Sequence, residues 1–493
     1  MSIDSGSMAG LGNSTRRGLA FGGTAQVLQQ VLSVLATLAL ARLLHQSEFG
    51  VVAAANSILG LSTLLLAMGL NISVIRKPEL TEEFLATIQW ASIAVAVVVA
   101  SLFVLGAPGL AKLFGVQEAA PYLAALAPVV VLNLAASVPL GLLRRRLSFG
   151  AFWAVQVLAM SGYVIIEVSL AVAGLGAWAV IIGQLALSVI QFFGAFIAAR
   201  WVPRLTFRIG LLREEIGFAG GMLGGHALGY GLKNADYWVV GNALGAAALG
   251  SYYIAYVLPS VLRVRLTAVV ATVLILVFAR VQGETAHTRR VYAESMRLLS
   301  GAGFPAMVGI AVLAEPITAV FFGAGWKASV DPLRWIALAA LLEFLGATAS
   351  HVAIAHKLVG RLLVAQVIRF VTFVPAAAVA ALVWGTLEAV SLSVLASTGV
   401  WCIAQQLLVA RPLGLGLRLI SRDLVAVAVS SAVMGAAVLL LQNAMSDQSA
   451  IVNLLAGVVV GTVVYFLIGV FAFRATFCPL ILQSRRVIRS AHR

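Results

Sequence analysis

The chain is a succession of apolar runs, each long enough to cross a bilayer, separated by short polar turns. The runs fall at 18–44, 49–75, 84–110, 119–143, 149–174, 176–200, 214–242, 248–279, 298–323, 333–355, 361–384, 387–410, 423–442 and 449–473. About twenty residues of helix span a hydrocarbon core of ~30 Å, so these runs predict about fourteen transmembrane helices. Of the 493 residues 61% are hydrophobic and 10% charged, and no polar stretch is long enough to fold as a soluble domain. The expected fold class is an all-α integral membrane protein, because a helix satisfies its own backbone hydrogen bonds in lipid. Gly or Pro marks most of the turns: Gly115, Gly174, Gly176, Gly245, Gly385 and Pro412.

The basic residues test this map. Of the 33 Lys and Arg, 25 fall on the side of the N-terminus and four on the other side (Arg42, Lys112, Lys327 and Arg334). The remaining four, Lys233, Arg263, Arg265 and Arg369, fall inside spans. The positive-inside rule then places both termini of a multi-pass membrane protein in the cytoplasm. The net charge of +15 reflects this topology, with short basic clusters between apolar spans rather than a nucleic-acid surface. Arg16-Arg17 ahead of the first run superficially matches a twin-arginine signal, but that run is too long for a signal core and many like it follow.

The longest internal connections are 201–213 and 281–297. The first, basic and amphipathic, is expected along the inner surface, with a plain solvated connector as the alternative. The expected organisation is a six-helix bundle over 1–200, this linker at 201–213, a second six-helix bundle over 214–410, two additional helices over 411–473, and a basic cytoplasmic tail at 474–493. A weak internal repeat fits that division. ARLLHQSEFGVVAAANSI matches a stretch two hundred residues later, with Leu44 on Leu244, Phe49 on Leu249, Gly50 on Gly250 and Ala55 on Ala255. Duplicated bundles are a signature of membrane transporters.

Catalytic motifs are missing from the sequence. There is no G-x-x-x-x-G-K-[ST] loop, no H-E-x-x-H, and no Cys/His cluster, while Cys402 and Cys478 are too few for a disulfide framework. No long external loop exists to carry an acid/base pair. The expectation is therefore no catalytic residue, no metal and no cofactor.

The informative groups are the ionisable residues inside spans, where a charge costs about 2.5–3.5 kcal/mol on insertion scales and needs a partner or a wet cavity. Lys233 and Asp236, three residues apart, are placed to pair on one helix face, with Asn234 beside them. Arg263 and Arg265 are two residues apart and so diverge, and Arg265 has the alternative of snorkelling from a helix bend. Arg369 stands alone in its span. Arg263 and Arg369 have no acidic neighbour one turn away, which favours a cavity over a structural ion pair. The candidate substrate-binding residues are Lys233, Asn234, Arg263, Arg265 and Arg369. The candidate ion-coupling residues are the acids Asp236, Glu167 and Glu343.

Several of these features together resemble a known family. Arg42-x-Leu44-x-x-x-Glu48-Phe49-Gly50 resembles the first outer loop of Wzx-type polysaccharide flippases, members of the MOP superfamily that also holds the MATE exporters and the lipid II flippase MurJ. Asn234-x-Asp236, Gly241-x-x-Leu244-Gly245, Leu249-Gly250-x-Tyr252 and Ala255 resemble that family's seventh and eighth helices. Phe322-Gly323-x-Gly325-Trp326 with Pro332 resembles its outer turn between helices nine and ten. The sequence departs from the pattern at His45-Gln46, where the family more often has Gly-Pro, and at 275–278, which lacks a common proline.

The resemblance implies two pseudo-symmetric six-helix bundles around a central cavity that opens alternately to the two sides. It implies a substrate of lipid-linked oligosaccharide on a polyprenyl pyrophosphate, moved from inner to outer leaflet for cell-surface polysaccharide, with polysaccharide polymerase and glycosyltransferases as partners. Two alternatives stand beside it: a MATE-like cation-coupled exporter of small molecules, and a membrane polysaccharide polymerase.

Overall fold

The computed structural model describes residues 5–67, 74, 75, 77, 79–280, 285–356, 358–415 and 421–472. Side chains are described over the same ranges apart from 5–21, 61–67, 214–228, 232, 233, 269–280, 285, 287, 421 and 472. Among the described residues there is no strand. The helices are α1 (Ser5–Leu43), α2 (Gln46–Ala67), α3 (Glu82–Leu113), α4 (Ala127–Arg145), α5 (Phe149–Val172), α6 (Ala177–Ala199), α7 (Ile209–Arg280), α8 (Thr285–Val312), α9 (Val330–Ala355), α10 (Val359–Val379), α11 (Leu387–Gln405), α12 (Ser421–Ala444) and α13 (Ala450–Ala472). Twelve helices among the described residues are long and apolar enough to cross a membrane. Of the fourteen expected spans, 49–75 runs into residues outside the described set, and 214–242 is helical with many side chains not described. The chain is an all-α, multi-pass membrane protein.

Local chemistry explains several helix ends. The side chain of Thr81 accepts from Phe84 N at 3.2 Å and starts α3, with Glu82 and Glu83 in the first turn facing the positive end of the helix dipole. Thr386 caps α11 in the same way through Ala389 N, followed by Glu388. Within α7 the helix breaks at Gly245, whose φ of 84° and ψ of −180° a side chain would oppose. Position 245 corresponds to His45 in the earlier copy of the hairpin. There the turn between α1 and α2 is closed by Glu48, whose Oε2 accepts from His45 N at 2.8 Å.

The chain divides into two compact units, Met1–Gly250 and Ser251–Arg493. In the first, α5 packs on α6 and α1, and α4 packs on α3 and α6. A cluster of Phe84, Leu85, Ile88, Val138, Leu142, Phe152 and Trp201 fills one end. Residues 201–208 are not helical. They are tied to the start of α3, where Trp90 donates to Arg204 O at 2.8 Å and Arg208 N donates to Thr87 Oγ1 at 3.2 Å. Arg208 also pairs with Glu83 at 2.9 Å, and Trp201 donates to Glu82 at 3.2 Å. The basic linker is thus a strap bonded to α3.

The two copies of the hairpin meet within this unit. A Cβ on Gly50 would overlap the carbonyl of Ala246, and one on Gly250 would overlap the carbonyl of Gln46. The contact is reciprocal at a spacing of two hundred residues, as two copies of one hairpin packed about a local two-fold would make it. Glycine at both positions lets the backbones touch, the small-residue packing that membrane helices favour. The first arm of α7 is fixed further by Tyr230, whose hydroxyl donates to Ser57 O in α2. Its end near Gly245 is held by Asn242, which donates to Leu113 O at 3.2 Å, and by Trp238, edge-on to Phe114 with ring centres 5.7 Å apart.

In the second unit α9 packs on α8 and α11, α10 on α11, and α12 on α8 and α13. Phe304, Val427, Met434 and Tyr465 form one core, closed by the Tyr465 hydroxyl donating to Gly301 O at 2.7 Å. Arg297 on α8 pairs with Asp423 on α12 at 3.0 Å.

Candidate functional site: an arginine pair on one carboxylate

Among the described residues, a cluster of charged side chains near the middles of membrane-length helices lies in the second unit. Glu343, Arg369 and Thr398 lie near the middles of α9, α10 and α11, and Arg263 lies near the middle of the arm of α7 beyond Gly245. Arg263 Nε donates to Glu343 Oε2 at 2.8 Å, and Arg369 Nη2 donates to Glu343 Oε1 at 2.7 Å. Each carboxylate oxygen therefore has its own guanidinium, supplied by a different helix. Arg369 Nη2 also donates to Thr398 Oγ1 at 3.1 Å. Its guanidinium carbon lies 5.1 Å from the centre of the Trp401 ring, within cation–π range.

This arrangement has a visible support. Thr398 and Trp401 are three residues apart, so α11 presents both toward Arg369. Gly346, one turn beyond Glu343 on α9, lies against the Trp401 ring where any Cβ would overlap it. Below, Gln405 donates to Ser350 at 3.0 Å and continues the polar contact of α11 with α9. Two cations and one anion leave the trio with a net charge of +1. The side chains of Arg263, Glu343 and Arg369 remain 33%, 19% and 23% exposed. The site is thus reachable, and it carries positive charge at a depth where charge is costly.

The local sequence pattern favours an open cavity around Arg263 and Arg369, since neither has an acidic neighbour one turn away. The fold brings the acid from α9 instead and joins three of the candidate residues in one cluster. Arg265 is partly buried on the same arm of α7 as Arg263. Asn234 is buried, and its Nδ2 donates to Tyr230 O at 2.9 Å. Asp236 is buried and accepts from Tyr237 N at 3.0 Å. The side chain of Lys233 lies outside the described residues, and with it the expected pairing to Asp236.

Glu167 is placed differently. It is fully buried toward the C-terminal end of α5, where Oε1 accepts from the Tyr163 hydroxyl at 2.6 Å and Oε2 has no hydrogen-bond partner. Gly183 of α6 packs directly on it, 3.0 Å from Glu167 Cβ to the place a Cβ on the glycine would take. Neither α5 nor α6 carries a Lys, Arg or His. Thr398, Trp401, Gly346 and Tyr163 were not singled out from sequence. Only Tyr163 left a readable signal there, a hydroxyl four residues before an intramembrane acid.

Among the described residues no group of His, Cys, Asp and Glu is arranged to hold a metal ion. The sequence pattern of the family described as Polysaccharide biosynthesis protein matches residues 39–331, more than half of the chain. The chain belongs to that family. Within it, the chain is 28% identical over 302 residues to the succinoglycan biosynthesis transport protein ExoT of Rhizobium meliloti (strain 1021), a match covering 61% of this chain and 60% of ExoT. It is 24% identical over 310 residues to the lipopolysaccharide biosynthesis protein WzxC of Escherichia coli (strain K12), covering 62% and 63% of the two chains. These matches span about three-fifths of each relative's length. The fold is that of a solved lipid II flippase MurJ in an inward closed conformation, with a TM-score of 0.76 at 13% identity over 92% of this chain and 99% of that one. A multidrug resistance MATE family transporter of the MOP superfamily, inward-facing, aligns with a TM-score of 0.60 at 15% identity over 80% and 98%.

Proposed function

We propose that this polysaccharide biosynthesis family member is a flippase of lipid-linked oligosaccharide. Its cargo is a saccharide on a polyprenyl pyrophosphate, carried by alternating access from the inner to the outer leaflet of a bacterial inner membrane. Both termini are cytoplasmic in this reading, and the product feeds polysaccharide polymerase on the far side after glycosyltransferases have built it on the near side. The protein works as a transporter and not as a catalyst.

The observation that carries the proposal is the reachable Arg263–Glu343–Arg369 cluster at mid-membrane depth, in a chain whose family relatives are named for polysaccharide biosynthesis. A pyrophosphate needs multiple charge-assisted donors, and two guanidinium groups in a low-dielectric setting supply them. A polyprenyl tail has no such need and stays in lipid. An inside-negative potential favours outward movement of the anion by ~2.3 kcal/mol per charge per 100 mV.

The test is complementation of a bacterium lacking its own polysaccharide flippase, scored by surface glycan. Restored glycan supports the reading. Absence of rescue together with extrusion of small hydrophobic cations would replace it with a drug exporter.

A further inference from the structure

Glu343 is gripped from two sides by guanidinium groups. Its two oxygens are held the way two oxygens of a phosphoryl group are held, each by a separate guanidinium at 2.8 and 2.7 Å. A guanidinium carries five N–H donors, and these bonds engage only Nε of Arg263 and Nη2 of Arg369. The pair therefore has donor capacity well beyond what one carboxylate uses. Arg369 has Thr398 and the Trp401 face as further supports, so it stays in place if Glu343 swings away.

We infer that Glu343 is a displaceable counter-anion, occupying the arginine seat until a phosphoanion takes its place and reclaiming it afterwards. This rests on the reading of Arg263 and Arg369 as the phosphate-binding pair. Affinity at the seat is then a difference between two anions competing for the same donors. In the empty state Glu343 offsets one of the two positive charges that would otherwise stand bare in the membrane. In the loaded state its carboxylate remains close by and repels the bound anion, which hastens release. The residue sets how tightly cargo is held, and it keeps the seat from trapping what it binds.

The test is titration of purified full-length protein in phosphatidylcholine nanodiscs with inorganic pyrophosphate, followed by calorimetry, for wild type, Glu343→Gln, Glu343→Asp, Arg263→Ala and Arg369→Ala. Removing the competing charge-assisted bonds is expected to tighten binding in Glu343→Gln by about tenfold. Glu343→Asp, too short to reach both arginines at once, is expected in between and serves if the glutamine variant fails to fold. Both Arg→Ala variants are expected to lose binding. Unchanged affinity in the Glu343 variants, with binding still lost in the arginine variants, overturns displacement and keeps the seat. Binding unchanged in all variants overturns the seat itself. Repeating the titration with phosphatidylglycerol in the nanodiscs separates a carrier pyrophosphate from an ambient lipid headgroup. A gain that survives supports the proposal, and a gain abolished by phosphatidylglycerol assigns the seat to headgroups and overturns it for cargo.

Discussion

Glu167 and Glu343 are both glutamates within membrane-spanning helices, one in each compact unit, and they are treated in opposite ways. Glu167 is sealed, with one bond from a tyrosine on its own helix and a glycine of the neighbouring helix pressed against it. Glu343 is 19% exposed and held by two arginines from two other helices. A sealed group with local partners acts through packing, whereas a reachable group with partners from separate helices can exchange them. The difference teaches that the presence of an intramembrane acid says little about its role. What matters is who holds it and whether anything else can reach the holders.

That contrast is testable by truncation. The largest expected effect is Glu167→Ala, which leaves a cavity and removes the acceptor of the Tyr163 bond and should destabilise by about 3–4 kcal/mol, read as a lowered midpoint of thermal unfolding. Glu343→Ala leaves two arginines uncompensated but in a site that water reaches, and should cost less, about 2 kcal/mol. Equal shifts for the two would break the comparison. Next comes Gly346→Leu, which displaces the Trp401 ring from beneath Arg369. Overpacking of this kind costs about 1–3 kcal/mol, and transport should fall with it.

Arg369→Lys sharpens the functional side. Lysine keeps the charge and loses the planar fork and its stacking on Trp401, so transport at equal membrane level should drop about tenfold. The smallest effect is expected from Tyr163→Phe, about 1 kcal/mol of stability with transport unchanged. Glu167→Gln, which keeps the acceptor for Tyr163, should leave the pH dependence of transport as in wild type. Loss of that dependence would turn the sealed acid into a coupling site.

Much of the fold was legible because membrane helices are specified locally. Gly115, Gly174, Gly176, Gly245 and Gly385 were marked as turn residues, and all five have positive φ. The hairpin repeat was visible as Gly50 on Gly250, although the reciprocal backbone contact that gives those glycines their purpose was not. The candidate site was legible only as isolated charges. Arg263, Glu343 and Arg369 lie on three helices, and no periodicity along one helix reports a partner on another. Neither Arg263 nor Arg369 has an acidic neighbour one turn away in sequence, and Glu343 reaches both from another helix. The linker at 201–208 has the composition of a surface segment, yet its backbone and side chains bond to Thr87, Glu83 and Trp90, a preference set by tertiary contacts.

The most direct measurement of the central claim uses proteoliposomes loaded with a fluorescent polyprenyl-pyrophosphate oligosaccharide, following the fraction accessible to an impermeant glycosidase. Wild-type protein should expose the lumenal pool at a rate well above protein-free vesicles, and Arg263→Ala and Arg369→Ala at equal reconstitution should fall to the background. Equal exposure in all three proteins would contradict the arginine seat. Exposure at the protein-free rate in wild type, with native lipid carrier and an imposed potential, would contradict the flippase itself.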